Sequence, residues 1–439
     1  MVACYGDGVD TASVTISGWT TGPANYIKIY TPFSPSEVGV SQRHNGEWDP
    51  SKYRIEAGTE GIAIGGGGTG AGNVWIDGLQ VYLTSVSGDG NSGIVVDQTT
   101  VANHRISNNI IRGVTDITFA NFGIFGYLAT AGSFLRIWNN IIYDFDGTSK
   151  GYGISLETNS NFTGYVYNNT VYNCYYGYNR AGAGSTYIAK NNISYGNTDN
   201  YAGTFDGSST NNLSGPQQTD APGSSPRNGP NMFVTFVNES TRDLRLASSD
   251  TGAKDYGAKL SSDGNLAFSD DIEGHGRGFD PAGLARWDIG ADEYVDGKFE
   301  YRRKITLNCL KKGASCGAGL SNFPVLIDTT NWPSADKDKL KTVANGGRVY
   351  RSDGYDIIFR DSSERNQIPH EIEKYDGSTG TLIAWVKVDP LFNACPTDTD
   401  IYIYYGNAGI TSPTANPTGV WDTSYGWRGV WHLKEDPSG

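Results

Sequence analysis

Short runs of alternating apolar and polar residues, separated by Gly, Asn, Asp and Ser, follow one another along most of the chain. Alternation of this kind predicts β-strands that bury one face, and the intervening residues are those that favour turns. Helical periodicity is nearly confined to residues 335–343, where Asp and Lys alternate before an Asn-Gly-Gly stop signal. The pattern therefore predicts an all-β chain with one short helix.

Two sequence markers recur together between residues 93 and 192. The first is an Asn-Asn pair whose second Asn lies at 109, 140, 169 and 192, at intervals of 31, 29 and 23. The second is a Gly at 93, 123, 153 and 177, at intervals of 30, 30 and 24. A period of this length with short strands is typical of a parallel β-solenoid, because one coil cannot bury its apolar face alone and must stack on its neighbours.

The Asn pairs are predicted to mark one corner of successive coils. An Asn amide at a fixed corner can bond to the Asn of the coils above and below, and Asn tolerates the left-handed backbone of sharp corners. Asp77-Gly78 is interpreted as the corner of an earlier coil, since Gly78 precedes Asn109 by 31 residues, and residues 210–215 as a degenerate later coil. The solenoid is expected to extend from about 60 to about 215.

Charge and hydropathy narrow the choice of partners. The 439 residues have a formal net charge of −13, and Lys and Arg form no dense cluster, so no nucleic-acid partner is expected. No apolar run approaches the roughly 20 residues of a membrane-spanning helix, and no signal-peptide core follows Met1. We therefore expect a chain without a membrane-spanning segment, either expressed without its natural signal or taken from a longer gene.

The cysteines, at 4, 174, 309, 316 and 395, show no metal-ligand spacing. Cys309 and Cys316 flank a short turn and can form a disulfide in an oxidising compartment. Free thiols packed as small apolar groups are the alternative.

The Asn-marked coils, together with DIEGHGR at 271–277 and WDIGADEY at 287–294, resemble the right-handed parallel β-helix proteins of bacterial secreted and surface polypeptides. That superfamily includes pectate-lyase-like enzymes. The resemblance implies an N-terminal cap over residues 1–60 and a right-handed parallel β-helix with a closing segment over residues 61–294. It also implies an extracellular or cell-surface location.

From Phe299 the repeat ends, and alternating strands such as YDIIFRDS and DIYIYYGN predict an antiparallel β-sandwich over residues 299–420. These phrases resemble a recurrent β-sandwich domain of unknown function in bacterial and archaeal extracellular proteins. In that arrangement GVWHLKEDPSG usually opens a laminin-G-like (concanavalin-like) jelly roll. Residues 421–439 are therefore expected to be the truncated start of a further module.

Coil stacking turns equivalent sequence positions into columns about 4.8 Å apart. Four residues past the Gly markers lies an outward column of Asp97, Tyr127, Glu157 and Ala181, beside Val95, Phe125, Ser155 and Asn179. Asp97 and Glu157 are two coils apart, roughly 9–10 Å, near the upper end of the about 6.5–9.5 Å used by inverting glycosidases. These two carboxylates are candidate catalytic residues, with Tyr127 and Asn179 as candidate substrate-binding residues.

A second outward column follows the Asn corners and contains Arg112, Tyr143, Tyr172 and Tyr195. Its Tyr rings are expected to form a platform against which sugar rings lie. The alternative for both columns is the ordinary exterior of a β-solenoid, where aromatic pairs stabilise the sheet.

Pectate-lyase-like catalysis, as the resemblance implies, needs clustered carboxylates that hold Ca²⁺ and a basic residue near the substrate. The residues that would supply this set are Asp144, Asp146 and Glu157, with Arg180 or Arg136. No lyase motif is recognisable residue by residue, so no cofactor is assigned and calcium stays a hypothesis.

The leading hypothesis is a secreted or cell-surface multidomain protein that binds polysaccharide or another extended polymer along the β-helix. A polysaccharide lyase or inverting glycoside hydrolase on the same face is the enzymatic alternative. Pure architecture in a surface layer or filament is the third, because uncapped solenoids stack end to end. The fold alone does not choose among these functions.

Overall fold

The chain divides into two compact units, Met1–Tyr294 and Val295–Gly439. The computed structural model describes residues 1–33, 37–38, 41–68, 71–84, 88–157, 162–182, 184–277, 286–294, 299, 301–309, 319–362, 367–391 and 398–430. Cys316, Cys395 and residues 431–439 of the predicted further module lie outside these ranges. Strands and turns dominate both units, as the alternating pattern predicts.

The first unit is built from short strands. Those of its first coils are β1 (Val2–Ala3), β2 (Val9–Asp10), β3 (Val14–Ile16), β4 (Ile27–Tyr30), β5 (Arg54–Ala57), β6 (Glu60–Gly68), β7 (Val74–Asp77), β8 (Gln80–Leu83) and β9 (Ser92–Gln98). The middle coils contain β10 (Asn103–Ser107), β11 (Ile110–Arg112), β12 (Phe122–Leu128), β13 (Phe134–Trp138), β14 (Ile141–Phe145), β15 (Tyr152–Glu157), β16 (Thr163–Tyr167), β17 (Thr170–Cys174) and β18 (Tyr176–Ala181). Then follow β19 (Thr186–Lys190), β20 (Ile193–Tyr195), β21 (Asp199–Ala202), β22 (Leu213–Gly215), β23 (Phe236–Asn238) and β24 (Asp243–Leu246).

From β1 to β21 every third strand joins the same sheet, and β22 then joins sheet B. Sheet A contains β1, β4, β7, β10, β13, β16 and β19; sheet B contains β2, β5, β8, β11, β14, β17, β20 and β22; sheet C contains β3, β6, β9, β12, β15, β18 and β21. Neighbouring strands in all three sheets are parallel. One turn of the chain thus adds one strand to each sheet, which is the architecture of a parallel β-helix. Residues 1–60, expected to be a cap, supply the first strand of every sheet.

The two sequence markers stack in register. Ile94, Ile124 and Ile154, each directly after a marker Gly, are partners in sheet C. The predicted period is therefore the length of one coil. One alignment was wrong by a residue: Ser107 pairs with Asp77, so Gly78 stacks on the first Asn of the next pair and not on Asn109.

The marker glycines lie where side chains of sheet B come close to the backbone of sheet C. A Cβ on Gly153 would lie 2.3 Å from Val171 Cγ1 and 2.7 Å from the carbonyl oxygen of Gly177. Gly123 meets Ile142 Cγ2 at 2.4 Å in the same way. Only Gly leaves room for the apolar side chains that fill the coil interior.

The second Asn of each pair is fully buried and forms the predicted ladder. Asn109 Nδ2 donates to Asn140 Oδ1 at 2.9 Å, and Asn140 Nδ2 donates to Asn169 Oδ1 at 2.9 Å. The ladder continues through Asn192 to Asn212. The first Asn of each pair has the expected left-handed backbone, with φ of 54° at the residue before Asn140.

Beyond β22 the chain returns along the outside of sheet B as a closing segment, residues 232–294. Its β23 and β24 form an antiparallel hairpin, and its apolar side chains pack on Ile110, Ile141 and Ile193. Arg277 is fully buried there. Its guanidinium donates to Asn139 Oδ1 at 2.8 Å and to the Ala291 carbonyl at 2.7 Å, and it pairs with Glu293 at 3.3 Å. The two motifs at 271–277 and 287–294 thus fasten this segment to the Asn corner.

The second unit consists of two antiparallel sheets that share one apolar core. Its strands are β25 (Tyr301–Leu307), β26 (Phe323–Asp328), β27 (Ile357–Arg360), β28 (Gln367–Ile368), β29 (His370–Asp376), β30 (Thr381–Val388) and β31 (Thr399–Tyr405). One sheet has the order β25-β31-β27-β28 and the other β26-β30-β29. The inward side chains of both, such as Phe359 and Val386, form that core, which gives the predicted sandwich.

Helices are shorter than the sequence predicted. The segment 335–343 contains most of α1 (Ser334–Lys337), a 3-10 turn at Asp338–Leu340 and the start of another at Val343–Asn345. A second helix, α2 (Pro417–Val420), follows β31. Among the helices described here, none is long and apolar enough to cross a membrane.

Cys309 is disulfide-bonded, whereas Cys4 and Cys174 are buried free thiols.

Candidate functional site

The outward face of sheet C contains the first predicted column. Tyr127 is the register partner of Asp97, and Glu157 pairs with Ala181 one strand beyond Tyr127. These side chains are half-buried, whereas the apolar residues on the opposite side of the same strands are fully buried. Asp97 and Glu157 therefore point outward as predicted, two strands apart, which is roughly 9–10 Å.

Partial burial raises the pKa of both the Asp97 and the Glu157 carboxyl above the ordinary carboxyl value. Within the part of the chain that is described, no side chain or backbone group hydrogen-bonds to either carboxyl group. A carboxyl group with a raised pKa and free oxygens can hold or accept a proton during bond cleavage.

A groove of about 740 Å³ lies on the same face, toward the C-terminal end of sheet C. Glu157 and Asn179 line it together with Asp199, Asp220 and Gln218. The groove is thus acidic and rich in hydrogen-bonding groups.

Two carboxylates in this groove influence each other. Asp220 accepts hydrogen bonds from the Tyr201 backbone amide at 3.0 Å and from the Ser214 hydroxyl. Burial, followed by the neighbouring Asp220, raises the pKa of Asp199. A neighbouring like charge opposes ionisation, so Asp199 is a second carboxyl group in the groove that is suited to acid–base chemistry.

Stacked aromatic rings run along the edge of the groove, and the sequence reasoning missed them. Phe122 stacks on Tyr152 with ring centroids 4.7 Å apart, and Tyr152 stacks on Tyr176 at 4.9 Å. Each ring directly precedes a marker Gly, so the repeat itself contained the signal. Tyr152 and Tyr176 line the groove.

The prediction of an open tyrosine platform on sheet B is wrong. Tyr143 is 2% exposed and Tyr195 is 7% exposed. Phe236 of the closing segment packs edge-on against Tyr195 at 5.8 Å and against the half-buried Tyr172 at 6.0 Å. The rings stabilise the contact between sheet B and the closing segment, so their faces are not available to a sugar.

Arg112, at the head of that column, lies over the Tyr82 ring at 3.8 Å and near Trp48 at 4.6 Å. It lines a pocket of about 410 Å³. Asp144 lies in the same pocket and pairs with Arg242 at 2.8 Å.

The residues considered for calcium do not converge. Asp144 lies on sheet B with Asp146 just beyond it, Glu157 lies on sheet C and Arg136 lies on sheet A. Arg180 is the partner of Leu156, so it occupies the opposite side of β18 from the Glu157 column, and it donates to the Ser185 carbonyl at 2.9 Å. Proximity along the sequence does not bring these groups together, because a β-helix separates residues of one coil among three faces.

Sheet A has a cationic face that the sequence does not reveal. Lys28, Trp75, Arg105 and Arg136 are successive register partners there, and they line a groove of about 380 Å³. Asp77 neutralises part of the charge through its ion pair with Lys28 at 3.0 Å. Arg105 and Arg136 are 31 residues apart in sequence, Lys28 precedes Arg105 by 77, and the three cations become neighbours only through stacking.

Residues 353–425 match a known family. Its model is described as Domain of unknown function (DUF2341). The match overlaps the segment 299–420, interpreted as a sandwich similar to a recurrent domain of unknown function, and it extends to residue 425. No curated protein and no solved structure shows significant similarity to the chain.

Proposed function

We propose that the first unit binds an extended polysaccharide along the outward face of sheet C. The groove of about 740 Å³ supports this proposal most strongly, because it combines Tyr152 and Tyr176 with Asn179 and three carboxyl groups. Sugar sites pair aromatic surface with a few polar groups that fix hydroxyl positions. The outward face of sheet C continues from the groove to Tyr127 and Asp97 through the strand register, so this face suits a polymer better than a single sugar.

The proposal includes the setting of the protein. The chain is a secreted or cell-surface multidomain protein, with a right-handed β-helix of the pectate-lyase-like superfamily, the sandwich as an accessory domain and residues 421–439 as the start of a laminin-G-like module. The disulfide at Cys309 supports an oxidising compartment.

Binding is tested by electrophoresis of the full chain through gels that contain individual polysaccharides. We expect retardation in gels of at least one polymer. The double variant Tyr176→Ala, Asn179→Ala should weaken that retention about tenfold or more, because it removes one ring and one amide from the groove. Asp206→Asn, at an exposed turn outside the groove, is the control. Equal retention of the double variant and the control would exclude this groove as the binding site.

Hydrolysis is the second candidate, and the two outward carboxyl groups with raised pKa favour it. In an inverting reaction one carboxyl protonates the leaving oxygen and the other activates water. Glu157→Gln should abolish the release of reducing ends while retention in the gel persists. A chain that retains polymer and releases no product is a binding protein; one that does neither with any polymer favours the architectural alternative.

A further inference from the structure

The groove of about 380 Å³ on the outer face of sheet A has a local excess of positive charge. Its charged lining among the described residues consists of four cations, Lys28, Arg43, Arg105 and Arg136, and two carboxylates, Asp77 and Asp270. The chain as a whole has a formal net charge of −13. Because the overall charge opposes anionic ligands, this groove is a specific place for such a ligand to bind.

Asp77 is already shared by two of the cations. Lys28 Nζ lies 3.0 Å from Asp77 Oδ2, and Arg43 Nη2 lies 2.8 Å from the same oxygen. The other oxygen of Asp77, Oδ1, accepts hydrogen bonds from a hydroxyl at 2.9 Å and from an amide at 2.8 Å. Both oxygens are thus occupied, and the remaining two cations gain no ion pair from this carboxylate.

Arg105 and Arg136 form no ion pair with any described residue. They are register partners on neighbouring strands, so their backbones are about 4.8 Å apart. The Arg105 side chain is exposed, and its guanidinium lies 5.7 Å from the centroid of the Trp75 ring. Arg136 donates from Nε to the Asn265 carbonyl at 2.7 Å and from Nη1 to Asn103, whereas its Nη2 has no hydrogen-bond partner among the described residues. Both guanidiniums therefore keep N–H groups that a ligand can use.

The two guanidiniums also oppose each other. Burial, followed by the charge of Arg105, lowers the pKa of Arg136 below the ordinary arginine value. A neighbouring like charge disfavours the ionised state. An anion bound between the two side chains removes this repulsion and accepts charge-assisted hydrogen bonds from both.

We propose that the groove on sheet A binds a sugar unit that carries a sulfate or phosphate ester, with the tetrahedral oxyanion held between Arg105 and Arg136. A tetrahedral oxyanion presents oxygens in several directions and can accept from guanidiniums on two strands. The two oxygens of a carboxylate instead lie in one plane and match the fork of a single arginine.

The rest of the groove suits the sugar ring. Trp138 and Phe268 line it with their ring centroids 6.2 Å apart, and Leu266 adds a further apolar group. Sugar rings place their apolar faces against such surfaces, while a few polar groups fix their orientation. This site lies on a different sheet from the proposed polysaccharide groove and does not depend on it.

The test measures binding of the full chain to four dextrans with one backbone: unmodified, sulfated, phosphorylated and carboxymethylated at matched charge density. Titration calorimetry at a salt concentration of about 0.15 M limits non-specific attraction. We expect the sulfated or the phosphorylated polymer to bind at least tenfold more tightly than the carboxymethylated one, and the stronger of the two identifies the ester. Unmodified dextran should not bind at this site.

Variants assign the binding to the groove. Arg105→Gln should weaken binding of the preferred ester tenfold or more, and Arg105→Lys should restore only part of it, because an ammonium group lacks the planar fork. Lys259→Gln removes one exposed positive charge outside the groove and should change nothing. The double variant Tyr176→Ala, Asn179→Ala on sheet C should also bind the ester unchanged, so this proposal and the polysaccharide proposal can fail separately.

Three results would overturn the proposal. Equal binding by Arg105→Gln and Lys259→Gln would place the anion elsewhere on the chain. Equal affinity for the carboxymethylated polymer would show that the arginines do not select a tetrahedral group. Single-stranded DNA that competes as strongly as the preferred dextran would show that the face does not recognise a sugar ester. Arg105 is exposed, so its substitution is expected to leave the fold intact.

Discussion

The room available for a side chain determines which residue type can occupy several positions of the repeat. Gly93, Gly123 and Gly153 all occur where a Cβ would lie within 2.8 Å of both a side chain on sheet B and a backbone carbonyl of the next coil. The residue before each ladder Asn has a left-handed backbone conformation, and Asn is one of the few residue types that adopt it readily. Two different physical constraints thus produce the two markers.

Gly153→Ala should destabilise the first unit by about 1–3 kcal/mol or more, because the added methyl group overpacks the contact with Val171 and Gly177. Urea unfolding monitored by circular dichroism measures the change. Gly58→Ala is the matched control, since a Cβ there meets no atom within 4 Å. Equal stabilities of the two variants would contradict the packing argument.

Buried His104 is expected to make the free energy of unfolding depend on pH. Burial lowers its pKa to about 3, and its ring bonds to Gln98 at 2.6 Å while it accepts from the Val74 amide. In the unfolded chain the pKa is about 6.5. Between these values the unfolded state binds the extra proton, so stability is present above about pH 6.5 and falls as the pH is lowered, by about 1.4 kcal/mol per pH unit.

His104→Gln should remove this contribution to the pH dependence. The measurement is the free energy of unfolding at several pH values between 4 and 7. Lys259→Gln, at an exposed position, should keep the full slope. A variant at position 104 with an unchanged slope would show that the neutral ring does not resist protonation.

Among the structural elements, the Asn ladder and the closing segment give the β-helix its fixed corner. Asn140 donates to Ile106 and Trp138 carbonyls at 3.0 and 2.9 Å besides its bonds to neighbouring ladder residues. Each ladder amide thus satisfies backbone groups that the corner would otherwise leave buried without partners. The corner was predictable from sequence because the same residue type recurs at every coil.

Asn140→Ala should cost about 3–5 kcal/mol of stability, since several buried donors and acceptors lose their partners at once. Thermal unfolding and hydrogen exchange at the corner amides are the measurements. Asn238→Ala, which removes an Asn that caps an exposed 3-10 turn, should cost about 1 kcal/mol or less. Comparable losses in both variants would indicate that the ladder adds nothing beyond ordinary surface hydrogen bonds.

At the scale of the whole molecule, the closing segment belongs to the β-helix unit, and it packs on strands that lie far earlier in the sequence. It covers outward apolar residues of sheet B, including Ile141 and Ile193. The compact unit accordingly ends at Tyr294.

A fragment of residues 1–294 should unfold in a single transition at the midpoint that this unit has in the full chain. A fragment of residues 1–231 should aggregate or unfold at a much lower temperature, because the apolar face of sheet B becomes exposed. Calorimetry and size-exclusion chromatography distinguish these outcomes. A stable, monomeric 1–231 fragment would mean that the closing segment is dispensable.

The sequence by itself determined the coil length, the Asn corner, the outward direction of Asp97 and Glu157 and the change of architecture near Phe299. These features are local or repeat from coil to coil. In a stacked fold each coil lies against a near copy of itself, so residues one period apart in the sequence become neighbours in space. Only the tertiary structure decided that Tyr143 and Tyr195 are covered, that the proposed calcium ligands lie on different faces, and that Arg277 bonds to Asn139. Each of these depends on how segments that share no repeat are placed in the fold, and the period of the sequence does not predict that placement.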